Sequence, residues 1–333
     1  VDHDSTGFTL HEIGFVLSAA GRHADALPVY HRALEAKQRG RLDGKVDHER
    51  VGRTLHQIGL CHAELRAADA ARTWYQRALD AKALGDSSGR VDHASAGVTL
   101  HELGLLAAGE GDGAAAVEWY RRAAEAKGQG DVLGRVNHES VGFSLHEAGF
   151  ALGREGRQAE ALAMLELALE QRLLGDVDGV VNHEGMGCTL HQIGFCHAQL
   201  GPLGQARAWF ERALEEKRKD ALAGRANHDS IGLTLHEIAY ELAAEGAHER
   251  ALDFFRLASE EKRLGDADGR VNRESIGRSL HRAAVTLAAL GRPDEAAESF
   301  RLAVEAKRDG DARRVVDRDS LRETLRAGVE CLR

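Results

Sequence analysis

The 333-residue chain is short of several residue types, and each shortage removes a class of protein. Cysteine occurs only at Cys61, Cys188, Cys196 and Cys331, with no CxxC pair. That excludes a disulfide framework and fits a reducing compartment, so a cytoplasmic protein is expected. Three prolines and 43% hydrophobic residues exclude collagen-like and disordered chains. No apolar run approaches the roughly 18 residues of a membrane span, and the opening Val-Asp-His-Asp-Ser lacks the basic and apolar segments of a secretory signal, so no membrane partner is expected. Charge of one sign is nowhere concentrated: a net charge of −9 is spread through mixed acidic and basic residues, leaving no basic stripe for a phosphate backbone. Nucleic acid is therefore not an expected partner. An initiator methionine is also lacking, which points to a fragment or a processed chain.

What the chain has is repetition. It divides into seven blocks of 45 residues with 18 left over, aligning Val46-Asp47-His48 with Val91-Asp92-His93, Val136-Asn137-His138 and Val181-Asn182-His183 without an insertion. The blocks are 1–45, 46–90, 91–135, 136–180, 181–225, 226–270 and 271–315, followed by a C-terminal capping helix in 316–333. A period of this length marks units that bury their apolar faces only by stacking on neighbours, so a single solenoid domain is expected. Within a block, Leu10, Ile13 and Leu17, then Ala26, Tyr30, Ala33 and Leu34, have helical spacing. Asp or Asn at the second position predicts an N-cap, and the acidic residue two places later complements the first turn. Helix A is thus predicted from the third position to about Gly21, helix B over about Ala24–Lys37, and a Gly-Asp-x-x-Gly-Arg connector closes most units.

The string Leu10-x-x-Ile13-Gly14-x-x-Leu17, Gly21, Ala26, Tyr30, Ala33-Leu34 resembles the tetratricopeptide repeat, in a variant of 45 rather than the usual 34 residues. The large aromatic that often opens the family's first helix is here Leu10, Leu55, Leu100, Leu145, Leu190, Leu235 and Leu280. The resemblance implies an all-α, right-handed solenoid of seven helix-turn-helix repeats plus the capping helix. It also implies a concave groove, lined by helix A, that takes a protein or peptide segment. Similar long arrays accompany bacterial signalling ATPases and effector proteins, so a sensor or scaffold part of a larger protein is the implied setting. Mapped onto this chain, the groove holds Phe8, His11, Glu12 and Phe15, and further along His56, His101, Glu102, Phe143, His146, Glu147, Phe150, His191, Phe195, His236, Glu237, Tyr240 and His281.

The histidines of that set occupy one position in every full repeat. Two readings stand: they contact a partner, or they hydrogen-bond the neighbouring helix and set the array geometry. Accessible histidines would change charge near neutrality, roughly pH 5.5 to 7.5, and make binding pH-dependent. Buried ones would place the dependence on stability instead. A second column, His3, His48, His93, His138, His183 and His228, becomes Arg273 and Arg318, and a bond to the preceding connector at an Asp such as Asp86 or Asp131 is expected. Gly7 and Gly14 with their equivalents are expected to admit helix B closely, against Ala33 and Tyr30 and theirs. Trp74, Trp119 and Trp209 are expected to be half-exposed packing residues.

No HxxxH, HxxxC or CxxC spacing brings two ligands to one side of a helix, so no metal or other cofactor is expected. Polar residues recur in columns instead of converging as unlike groups at one place, which gives no catalytic site, and GxxxxGK[ST] is absent. The connectors Asp176-x-Asp178-Gly179 and Asp266-x-Asp268-Gly269 lack the later Glu of a calcium loop and read as helix caps. The leading expectation is a protein-binding scaffold. The alternatives are a self-assembling array, with self-association through the N-terminal repeat face, and a His-lined groove responsive to a metal or ligand.

Overall fold

The computed structural model describes residues 3–201, 204–222, 224, 226–311 and 315–331. Val1 and Asp2, the predicted cap of the first helix, lie outside them. The described residues form fifteen α-helices and no strand. They fall into two compact units, Val1–Val181 and Asn182–Arg333. The first contains α1 (His3–Ala19), α2 (His23–Arg39), α3 (His48–Glu64), α4 (Ala68–Lys82), α5 (His93–Gly109), α6 (Gly113–Gly128), α7 (His138–Arg154) and α8 (Gln158–Leu173). The second contains α9 (His183–Leu200), α10 (Gln205–Leu222), α11 (His228–Ala244), α12 (His248–Leu264), α13 (Arg273–Ala289), α14 (Pro293–Arg308) and α15 (Arg318–Cys331). Each repeat is a helical hairpin whose two helices pack on each other, and within a unit helix B packs on helix A of the next repeat.

The predicted caps are present. Asp47, Asp92, Asn137, Asn182, Asn227 and Asn272 each accept a bond from the amide three residues on, satisfying a donor that the helix leaves open. The A-to-B turn uses a left-handed residue, Gly in most repeats and Arg66 (φ 61°) in the second. The connector Asp closes its own loop and does not cap a helix: Asp86 Oδ1 accepts from the amides of Ser88 (2.7 Å) and Arg90 (3.1 Å), and Asp131, Asp176 and Asp266 do likewise.

The core is a column of large residues beside a column of small ones. Tyr30, Tyr75, Tyr120 and Leu165 in the first unit, and Phe210, Phe255 and Phe300 in the second, are buried next to fully buried alanines such as Ala33, Ala123 and Ala258. A Cβ at Gly104 would sit 2.5 Å from the Tyr120 ring, so the glycine is what lets helix A meet that ring. At the other glycine column the neighbour is a lysine stem: a Cβ on Gly97 would lie 2.5 Å from Lys127 Cγ.

Candidate functional site

The face of helix A singled out by sequence separates into two kinds of residue. The aromatic members stand out from the surface: Phe8 and Phe15 are 51% and 52% exposed, and Phe143, Phe150, Phe195 and Tyr240 are similarly open. Val98 and Leu105 continue this row in the first unit, Leu233 and Val285 in the second. Apolar side chains recurring at such spacing, outside a core that is already filled, form an exposed apolar row within each unit.

The histidines point instead into the joint between repeats. His Nδ1 meets a Ser or Thr hydroxyl of the next repeat in the pairs His11–Thr54 (3.1 Å), His56–Thr99 (3.1 Å), His101–Ser144 (3.1 Å), His191–Thr234 (3.2 Å), His236–Ser279 (3.0 Å) and His281–Thr324 (3.0 Å). Each of these six rings also packs on the large core residue of its own repeat, as His101 does on Tyr120 at 5.1 Å. His146 is half-buried. Burial pushes the imidazoles down, His11, His101 and His281 to about 4 and His56 and His236 to about 3, with a neighbouring lysine ammonium adding to the effect. Charge change near neutrality, expected for accessible rings, is therefore corrected for these five. Of the carboxylates, Glu12 is exposed, while burial raises the half-buried Glu102, Glu147 and Glu237.

The same hydroxyls hold a residue column that the sequence reading passed over. Lys37, Lys82, Lys127, Lys217 and Lys262 each donate to the Ser or Thr that the histidine meets, at 2.8–2.9 Å, and to a backbone carbonyl one turn earlier, at 2.7–3.3 Å. All five are buried, with stems laid over the glycine of helix A. An ammonium removed from water needs such partners, and desolvation holds Lys37, Lys82, Lys127 and Lys262 near 8. The signal was present in the sequence as a basic residue at position 37 of every full repeat.

The second histidine column bonds elsewhere than expected. His138 meets Gln171 at 2.8 Å, His183 meets Glu216 at 2.7 Å, His228 meets Glu261 at 2.7 Å, and Arg273 meets Asp309. Gln171, Glu216 and Glu261 lie in the C-terminal half of helix B of the same repeat, and Asp309 is the C-cap residue of α14, so none is the Asp of the connector loop. Trp74, Trp119 and Trp209 are half-buried under Arg77, Arg122 and Arg212. Among the described residues, no three His, Cys, Asp or Glu side chains converge as a metal site would require. No described helix is long and apolar enough to cross a membrane.

Stacked two-helix repeats joined through repeating side-chain columns define a helical-repeat protein. Family models described as "Tetratricopeptide repeat" match residues 5–84 and 277–309, so the chain carries tetratricopeptide repeats in those stretches. Solved structures agree in fold. The C-terminal part of a TPR repeat-containing protein from Cytophaga hutchinsonii has a TM-score of 0.56 at 13% identity, covering 97% of this chain and 99% of that one. BtubC from P. vanneervenii gives 0.55 at 17% identity, over 67% of this chain and 83% of that one. Pseudomonas aeruginosa pilF gives 0.53 at 18% identity, over 84% and 99%. No curated protein matches the chain.

Proposed function

We propose that this protein is a scaffold that binds a protein or peptide segment along the helix A face. The observation that carries the reading is the exposed row Phe8, Phe15, Val98, Leu105, Phe143 and Phe150 in the first unit, which the fold does not use for its own core. Glu12, Glu102 and Glu147 flank it, so the surface combines apolar contact with hydrogen-bond acceptors, a pairing suited to an amphipathic segment. A sensor or scaffold role within a larger signalling protein is consistent with such a face.

The test selects peptides from a random displayed library on the full chain. Phe143→Ser and Phe150→Ser together should weaken the selected peptides about tenfold or more, as loss of aromatic anchors does, while Trp119→Ser should leave them unchanged. Peptides indifferent to the phenylalanines, or lost with Trp119, would sink this reading.

A further inference from the structure

The fourth position of the repeat is acidic in Asp4, Glu49, Glu139, Glu184, Asp229, Glu274 and Asp319, and is alanine only at Ala94. In the other full repeats this carboxylate stands near the buried base at position 37 of its own hairpin. Where that base is an arginine the pair is direct, Arg172 Nη1 to Glu139 Oε1 at 2.6 Å. Lys307 Nζ lies 4.0 Å from Glu274 Oε1. At Lys37 and Lys82, desolvation lowers the ammonium pKa, and Asp4 and Glu49 are the first charges to oppose it.

Lys127 keeps its base-to-hydroxyl bond (Ser144 Oγ, 2.8 Å) and its carbonyl bond (Ser140 O, 3.2 Å), and only 4% of its surface is exposed. The methyl of Ala94 occupies the carboxylate's position. Beside it Val98 stands where the first and fourth repeats carry Phe8 and Phe143. The missing atoms leave a recess on the helix A face, lined by Ala94, Ser95, Val98, Arg53, Lys82 and Lys127.

The acidic groups around this recess are already engaged. Asp92 accepts from the Ser95 amide at 2.9 Å and lies 3.5 Å from Arg53, and Asp131 is bound by the amides and guanidinium of its own loop. Glu102 acts on Lys127 through charge alone. His11 and His56, also at the rim, are held neutral by burial. Arg53, whose Nε also donates to Glu49 Oε1 at 3.0 Å, Lys82 and Lys127 thus line the recess.

We propose that this recess seats a carboxylate of the bound segment, held by Lys127 and Arg53 in the place that the fourth residue fills in the other full repeats. The inference rests on the helix A face being the binding face. Exposed aromatics continue on both sides of the recess, Phe8 and Phe15 one way and Phe143 and Phe150 the other. A segment lying along the row passes through the seat, so the carboxylate belongs to an internal Asp or Glu and not to a chain terminus.

Two measurements decide this. Thermal unfolding of the full chain in sodium acetate, against sodium chloride at equal ionic strength, should show a saturable acetate-specific rise in midpoint. Ala94→Glu, which supplies the carboxylate from the chain itself, should raise the midpoint in chloride and remove the acetate increment. Equal increments in parent and variant overturn the seat. Among library-selected peptides, acid-to-amide replacement should weaken binding about tenfold to the parent and less than about twofold to Ala94→Glu, since a charge-assisted bond is lost only where the seat is open. Amidating the peptide C-terminus should change nothing; an effect there would overturn the internal placement. Peptides that bind without any preference for an acid overturn the seat and leave the face reading intact. Failure to select any peptide, with the acetate increment intact, overturns the face reading alone.

Discussion

A buried ammonium is tolerated only when its donors are met, and in this chain one hydroxyl does that for two neighbours at once. Thr99 Oγ1 lies 2.8 Å from Lys82 Nζ and 3.1 Å from His56 Nδ1, with no exposed surface of its own. Thr99→Val keeps the shape and deletes the shared hydroxyl, leaving a buried cation one partner short. It should lower unfolding stability in urea by about 1–3 kcal/mol. Thr9 occupies the same position of the first repeat but is exposed and bonds only to Ser5 O. Thr9→Val should stay within about 0.5 kcal/mol of the parent. Equal losses at the two sites would mean that the hydroxyl does not act through the lysine and histidine. The histidine half of this joint was legible as a column in the sequence. The hydroxyl half was not, because Ser and Thr inside a helix carry no pattern of their own until a partner from another repeat is seen beside them.

At the scale of the helices, period and capping made the fold readable: apolar spacing, the Asp or Asn cap and the connector glycines each have a local cause. Close packing between helices was legible in the Gly7 and Gly14 columns, and so was the large residue at Tyr30 and its equivalents, but the lysine stem over the Gly7 column was not. Gly104→Ala separates propensity from packing. Replacing a helical glycine by alanine ordinarily gains up to about 1 kcal/mol, but here the new methyl would press on the Tyr120 ring, an overpacking that costs about 1–3 kcal/mol. Net destabilisation is expected. Gly128, at the end of α6, has nothing within 4 Å of its would-be Cβ, so Gly128→Ala should instead stabilise by a few tenths to about 1 kcal/mol. Chemical denaturation of both variants reads the contrast, and a stabilised Gly104→Ala would show that the two helices can move apart freely. The partner of the second histidine column was misplaced for a related reason: residues 33 positions apart meet only because helix B returns beside its own helix A.

For the whole molecule, the joints repeat and so do their titrations. The folded chain holds His11, His56, His101, His236 and His281 well below 6.5, so between about pH 4 and 6.5 the unfolded chain binds protons that the folded chain refuses. Stability therefore rises with pH across that window and is lost as pH falls through it. The raised carboxyls of Glu102, Glu147 and Glu237 act in the opposite sense, but they are fewer. Lys37, Lys82, Lys127 and Lys262, held near 8 against 10.5, extend the rise into the window from about 8 to 10.5. At His101, 5% exposed, the two protonation states differ by about 3 kcal/mol. Urea unfolding measured from pH 7 to 4.5 should thus steepen with acid, and His101→Gln should reduce the slope by about one proton per molecule. Deleting residues 91–135 should do the same while leaving a folded chain, because each joint is a matter of register: the deletion brings Ser144 into the place of Thr99, opposite His56 and Lys82, with a hydroxyl at the same position. A deletion that unfolds the chain would show that the repeats are not interchangeable. A slope unchanged by both variants would show that the histidine column does not govern acid stability.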